Sequence, residues 1–214
     1  MQLTLMPFVT PVLLAILLAG SVLVVISDWR VGIAALLVEY VATAVVLTQL
    51  VILEVALVKL IAGLLVVTIM GVTAWQLNFG RPGTPGAAPW QFRFETPTAL
   101  PFRLMAVIMV VVSALYVAGQ PNLVLPGLDQ APAINSASYL LMALGLLNLG
   151  LTEEPLGAGL GLLTLLLGFE TFYAAIEPSL AVVALMAAVE VGVALAVSYL
   201  AALQHGSGRG EAES

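Results

Sequence analysis

"LLVEYVATAVVLTQLVILEVALVKLIAG", residues 36–63, is almost unbroken hydrocarbon, yet it carries Glu39, Glu54 and Lys59. One crossing of a bilayer core ~30 Å thick takes about 20 apolar residues rising 1.5 Å each, and this run belongs to an apolar segment too long for a single crossing. The only polar step near its middle is Thr48-Gln49-Leu50. The segment therefore reads as two membrane helices joined by a tight turn at Gln49, with charges inside the hydrocarbon on both arms.

Composition agrees with that reading. Of 214 residues, 62% are apolar and only 8% charged, and the mean hydropathy is +1.14. Soluble domains keep about a quarter of their residues charged to solvate their surfaces, so this chain uses lipid as its solvent. Its net charge of -6 argues against a nucleic-acid partner. It has no cysteine, which excludes disulfides, iron–sulfur ligation and thiol nucleophiles. The one histidine, His205, follows the last apolar run, so no buried histidine is available to ligate a membrane haem or metal. We expect no cofactor and no metal site in this chain.

Seven spans follow from the length rule, near residues 7–26, 31–49, 52–76, 101–119, 136–151, 156–176 and 179–203. The first lacks the basic flank of a signal peptide and is taken as a span. The sixth and seventh turn at Glu177-Pro178-Ser179, where proline stops the helix. With seven crossings, Arg30, Arg81, Arg93, Arg103 and Arg209 all fall on one face. The positive-inside rule makes that face cytoplasmic and the amino terminus external. Trp29, Trp75 and Trp90 sit near the same boundary, as amphipathic indoles prefer.

The buried charges repeat. Glu39 and Lys59 are 59 - 39 = 20 residues apart, as are Glu170 and Glu190 (190 - 170 = 20), and the two pairs are offset by 131. The three spans before the long loop thus resemble the last three, with the fourth as a connector, and four crossings between equivalent helices leave the copies pointing the same way. Glu39 and Lys59 each lie ten residues from Gln49, about 15 Å along a helix, which predicts positions near the midplane. Glu170 and Glu190 flank the second turn at matching depth, and two acids there need water or a cation between them. Four mid-membrane charges would cost on the order of 10 kcal/mol if unpaired, so they must be paired, protonated or hydrated. For Glu39 with Lys59, the plain structural alternative is an ion pair that fixes how two helices pack. Glu54, closer to the turn, and Glu177 are expected near the outer interface and ordinarily solvated.

Other features read as structural. "GAGLG", with Gly157, Gly159 and Gly161, has no preceding strand and no P-loop lysine, and is taken as a small-residue packing face. Ala184, Ala188, Gly192 and Ala196 make a second such stripe, about 200 degrees around the last helix from Glu190. The Pro- and Gly-rich loop 78–103 holds three of the arginines and is either a linker with interfacial anchors or a docking surface for a cytoplasmic partner.

"GLLTLLLGFETFYAAIEP" followed by "LAVVALMAAVEVGVALAVSYL" resembles the K-type subunit of respiratory complex I and its C-type relative in multisubunit cation/proton antiporters. The whole layout is similar to component E of hydrogenase-4 and formate hydrogenlyase membrane arms. That resemblance implies an all-α transmembrane bundle of about seven helices. It divides the chain into a first three-helix repeat (1–77), a loop, connector helix and outer loop (78–135), a K-like three-helix repeat (136–203) and a polar cytoplasmic tail (204–214). Glu170 and Glu190 match the two glutamates of the family's proton axis, and Glu39 and Lys59 occupy comparable places in the first repeat, where lysine stands opposite Glu190. The implied role is that of a non-catalytic subunit of an energy-converting complex in the cell's inner (plasma) membrane. Its partners would be lipid and other membrane subunits, antiporter-like ones above all. The other readings are a structural subunit of another respiratory or photosynthetic complex, and a self-contained transporter on parallel repeats.

Overall fold

A computed structural model describes residues 6–26, 28–48, 53–77, 99–120, 132–177 and 179–210. Their regular structure consists of seven α-helices: α1 (Met6–Val25), α2 (Trp29–Leu47), α3 (Leu53–Gln76), α4 (Ala99–Ala118), α5 (Pro132–Leu151), α6 (Pro155–Ile176) and α7 (Leu180–Gly210). No strand occurs among the described residues. Six of these helices, α2 to α7, are long and apolar enough to cross a membrane, and α1 adds a further apolar run over Pro11–Val25. The chain is a multi-pass helical membrane bundle.

Helices are the form this sequence must take in hydrocarbon, because every backbone N–H and C=O then finds its partner within the segment. The hydroxyl side chains follow the same rule. Ser21, Thr68, Ser113 and Thr171 each donate back to the carbonyl four residues earlier, at 2.6 to 2.8 Å. Helix ends fall where local chemistry stops them. Asp28 caps α2 by accepting from the Arg30 N–H at 2.9 Å, and Pro155 opens α6, where its missing N–H has no helical partner to lose.

Two boundaries differ from the sequence reading. Helix α5 begins at Pro132 instead of near 136, because proline suits the first helical position and Asn135 is pinned by donating to the Ala118 carbonyl at 2.9 Å. Helix α7 continues to Gly210, past the expected exit at 203. Extending an existing helix is far easier than starting one, so polar residues join its end. Residues 78–98, with Arg81, Arg93 and Trp90, lie outside the described residues, as do the side chains of Glu54, His205 and Arg209.

The two three-helix segments are not separate bodies. Helix α1 packs on α5, α2 on α6 and α3 on α7, and one apolar core joins residues of all seven helices, from Ile16 and Leu36 to Met70, Ala114, Leu140, Leu163 and Val197. The paired helices run the same way. One guanidinium, that of Arg103, reaches the carbonyls of Val24 (3.3 Å) and Leu151 (3.4 Å), which are the carboxyl ends of α1 and α5. Contacts between α3 and α7 follow the same order along both, first Lys59 with Glu190 and later Thr73 with Ser198.

The closest packing is between α5 and α6. A Cβ on Gly161 would lie 2.8 Å from the Leu149 nitrogen and 3.0 Å from the Gly145 carbonyl, so only glycine permits these backbones to touch. The first of the two small-residue faces is therefore used within the chain, with Gly159 likewise seated against Val197. The second is not. Ala184, Ala188, Gly192 and Ala196 all lie on the exposed side of α7. The buried side of that helix is Val183, Ala187, Glu190, Ala194, Val197 and Ala201, a three-and-four spacing that faces the bundle.

Candidate functional site

Lys59, Glu170 and Glu190 meet at one point inside the bundle. The ammonium of Lys59, from α3, donates to Oε2 of Glu170 on α6 and, at 2.6 Å, to Oε1 of Glu190 on α7. Exposure is 0% for Lys59, 3% for Glu170 and 1% for Glu190, so the three charges have only one another and a few neighbours for solvation. The cation that two buried acids require comes from α3, in the other half of the chain. Lys59 and Glu190 are also 131 residues apart, the offset read between the two pairs of charges in the sequence. Position 20 after the first acid thus meets its own counterpart where the parallel helices α3 and α7 touch. Had both been glutamate, the centre would hold only like charges; lysine in one copy converts it into an ion trio.

Lys59 is six residues inside α3 and Glu170 six from the end of α6, each about 9 Å, while Glu190 is ten residues inside α7, about 15 Å. The turn expected at Gln49 lies outside the described residues.

Glu39 does not pair with Lys59. It is fully buried, and its Oε2 accepts from the Thr164 hydroxyl of α6 at 2.7 Å. Its Oε1 has no hydrogen-bond partner among the described residues. A Cβ at Gly20 of α1 would stand 3.2 Å from that oxygen and 2.7 Å from Leu144, so glycine leaves the room in which the carboxyl sits. The Glu39–Lys59 ion pair, the plain structural alternative read from the sequence, does not form, because α2 packs on α6 and α3 on α7.

Between the two carboxyl sites lies Tyr40, which sequence reasoning missed. Its ring is 5.1 Å from the Lys59 ammonium, a cation–π contact in a water-poor setting. Its hydroxyl is within electrostatic reach of Glu190, Glu170 and Glu39 but makes no hydrogen bond of normal geometry. Five buried oxygens here have no hydrogen-bond partner among the described residues: Glu39 Oε1, Tyr40 Oη, Thr43 Oγ1, Glu170 Oε1 and Glu190 Oε2. Thr164 was also missed. A tyrosine directly after a buried acid, and a threonine six residues before one, are the only marks they leave in the sequence.

Glu177 is exposed, as expected of an interfacial acid, and the side chain of Glu54 lies outside the described residues. Among the described residues no three histidine, aspartate or glutamate side chains gather as a metal cluster would require. Chemically, an ammonium between two carboxyls is neutral when the trio holds one additional proton and carries a single negative charge when it does not. Loss or gain of that one proton changes the charge buried between α3, α6 and α7. No family model matches the sequence, and neither a curated protein nor a solved structure matches it.

Proposed function

We propose that this chain is a membrane-arm subunit of an energy-converting complex, of the kind represented by complex I, hydrogenase-4-like assemblies and multisubunit cation/proton antiporters. In this reading Lys59, Glu170 and Glu190 hold and pass one proton sideways through the membrane, and Glu39 with Thr164 extends the route toward α1 and α5. Electron transfer and its cofactors belong to partner proteins. The chain sits in the cell's inner (plasma) membrane with its amino terminus outside and its carboxyl terminus in the cytoplasm, since by the count of spans the arginines collect on one face.

One observation carries this reading: a single ammonium shared by two buried glutamates from two other helices. Like charges have no structural attraction for each other, and an apolar trio of similar volume would pack these helices at least as well. Intramembrane carboxyls that are retained in pairs mark ion and proton routes. The second reading, a purely structural subunit, is favoured by the same trio in so far as it ties α3, α6 and α7 together.

Proton pumping per turnover by the intact complex in inverted vesicles separates the two. Glu190→Gln and Glu170→Gln keep the shape and one hydrogen-bonding oxygen, so they should leave assembly intact and lower the proton yield. Unchanged pumping at normal turnover in both variants would count against the relay and leave the structural role.

A further inference from the structure

The one exchangeable proton of the trio can sit on either acid, and the groups around the two acids are not alike. The charged and titratable side chains that face this point are Glu39 and Tyr40 from α2, Lys59 from α3, Glu170 from α6 and Glu190 from α7. Lys59 uses one oxygen of each acid, Oε2 of Glu170 and Oε1 of Glu190. The other two, Glu170 Oε1 and Glu190 Oε2, have no hydrogen-bond partner among the described residues, and neither has the Tyr40 hydroxyl. Two nearby hydroxyls are already engaged, Thr164 with Glu39 Oε2 and Thr171 with the Leu167 carbonyl.

Position makes Glu190 the acceptor for Tyr40. The tyrosine ring is 5.1 Å from the ammonium that itself donates to Glu190 at 2.6 Å, and the absence of a Cβ at Gly63 leaves the ring its place. Of the three glutamates that the hydroxyl feels, Glu190 acts most strongly and is the one in range for a hydrogen bond. Glu170 is in range of Glu190 as well. A carboxylate oxygen has lone pairs for two donors, and each donor favours the ionised form.

We propose that the proton rests on Oε1 of Glu170 and that Tyr40 is the positioning residue that keeps Glu190 a carboxylate. Glu190 Oε2 then accepts from both the Glu170 carboxyl and the Tyr40 hydroxyl, while Lys59 stays an ammonium. One proton thus satisfies all three unmet groups and leaves the trio neutral. The opposite placement is poorer. With the proton on Glu190 Oε2, that group donates to Glu170 Oε1, and Tyr40 faces a neutral carboxyl, a weaker acceptor than a carboxylate. The inference rests on the trio holding one exchangeable proton, as in the function proposed above, and adds that a passing proton leaves from α6.

Infrared spectroscopy of the full chain in lipid vesicles tests this. The chain has five tyrosines. With ring-labelled tyrosine, the band of Tyr40 is the one missing from Tyr40→Phe, which keeps the ring beside Gly63, and Gly63→Ala, which displaces the ring, should shift that same band. The protonated carboxyl of the trio is the C=O band lost in Glu170→Gln, and Glu39→Gln removes any share of Glu39. As pH is raised until the carboxyl band disappears, the Tyr40 band should not move, because Glu190 is ionised before and after. It should also hold its place in Glu170→Gln and shift in Glu190→Gln, whose neutral amide is the weaker acceptor.

A Tyr40 band that moves together with the carboxyl band places the proton on Glu190 and overturns the proposal. So does one that Glu190→Gln leaves unmoved. If neither glutamine variant loses a carboxyl band, the trio holds no proton, and the relay falls with the proposal. If the Tyr40 band behaves as expected while both variants pump normally in the intact complex, the position of the proton stands and only the relay falls.

Discussion

Gly63 lies against the face of Tyr40: a Cβ at this position would fall 2.5 Å from ring carbons Cγ and Cδ1 and 2.8 Å from the tyrosine Cβ. Gly63 is also one turn after Lys59, so the missing side chain is what allows the ring to lie beside the ammonium. Gly63→Ala should push the ring away from Lys59 and lower stability by about 1–3 kcal/mol, as overpacking does. Thermal unfolding in detergent measures this. The same change in a Tyr40→Leu background should cost clearly less, because the two positions are coupled. Additive losses would show that the glycine and the ring do not interact.

The lysine itself gives a sharper contrast. Lys59→Met keeps the length of the side chain but leaves Glu170 and Glu190 facing each other without a cation. Removing one partner of a buried pair costs about 3–5 kcal/mol, so this variant should be among the least stable single changes in the protein. Combining it with Glu190→Gln removes the unpaired charge and should recover part of the loss. Equilibrium denaturation of the single and double variants tests this, and a double variant no more stable than Lys59→Met would mean that the trio is not the unit described.

How far the sequence carried depends on what each inference needed. Span positions came from hydrocarbon length alone, which a single chain of residues states plainly, so α2 and α3 lie within a few residues of the ranges read from 36–63. Burial of Glu39, Lys59, Glu170 and Glu190 was legible for the same reason. Partner choice was not. Sequence placed Glu39 and Lys59 on the two arms of one hairpin and offered their pairing as an alternative, whereas the partners of Lys59 are 111 and 131 residues away. That choice depends on the rotation of each helix about its own axis and on how the repeats dock. In a helix apolar all round, hydrophobic periodicity gives no such bearing. Tyr40 and Thr164 were invisible for a related reason: either residue is ordinary in a membrane helix until its neighbours are known.

Arg103 offers a test of the parallel arrangement. Its guanidinium donates to the last-turn carbonyls of both α1 and α5, groups that have no helical N–H to pair with and carry the negative end of the helix dipole. Arg103→Met keeps the apolar stem and removes the donors, and should cost about 1–3 kcal/mol. Hydrogen exchange should quicken at the ends of α1 and α5 together, and elsewhere change little. Faster exchange in only one of them would mean that the two ends do not share this residue.

Thr164 and Glu39 allow stability to be separated from function. Thr164→Val removes the donor that Glu39 Oε2 relies on, at a site with no exposure, and should destabilise by about 1–3 kcal/mol, while Thr164→Ser should retain most of the bond. Glu39→Met together with Thr164→Val removes both polar partners, and such paired replacement can be nearly neutral. The double variant should therefore be more stable than Thr164→Val alone, as read by thermal unfolding of the purified protein. If Glu39 serves only to hold α2 against α6, that double variant will also assemble and pump normally. If it extends the proton route, it will assemble and pump less, because the packing has been restored and the exchangeable proton has not.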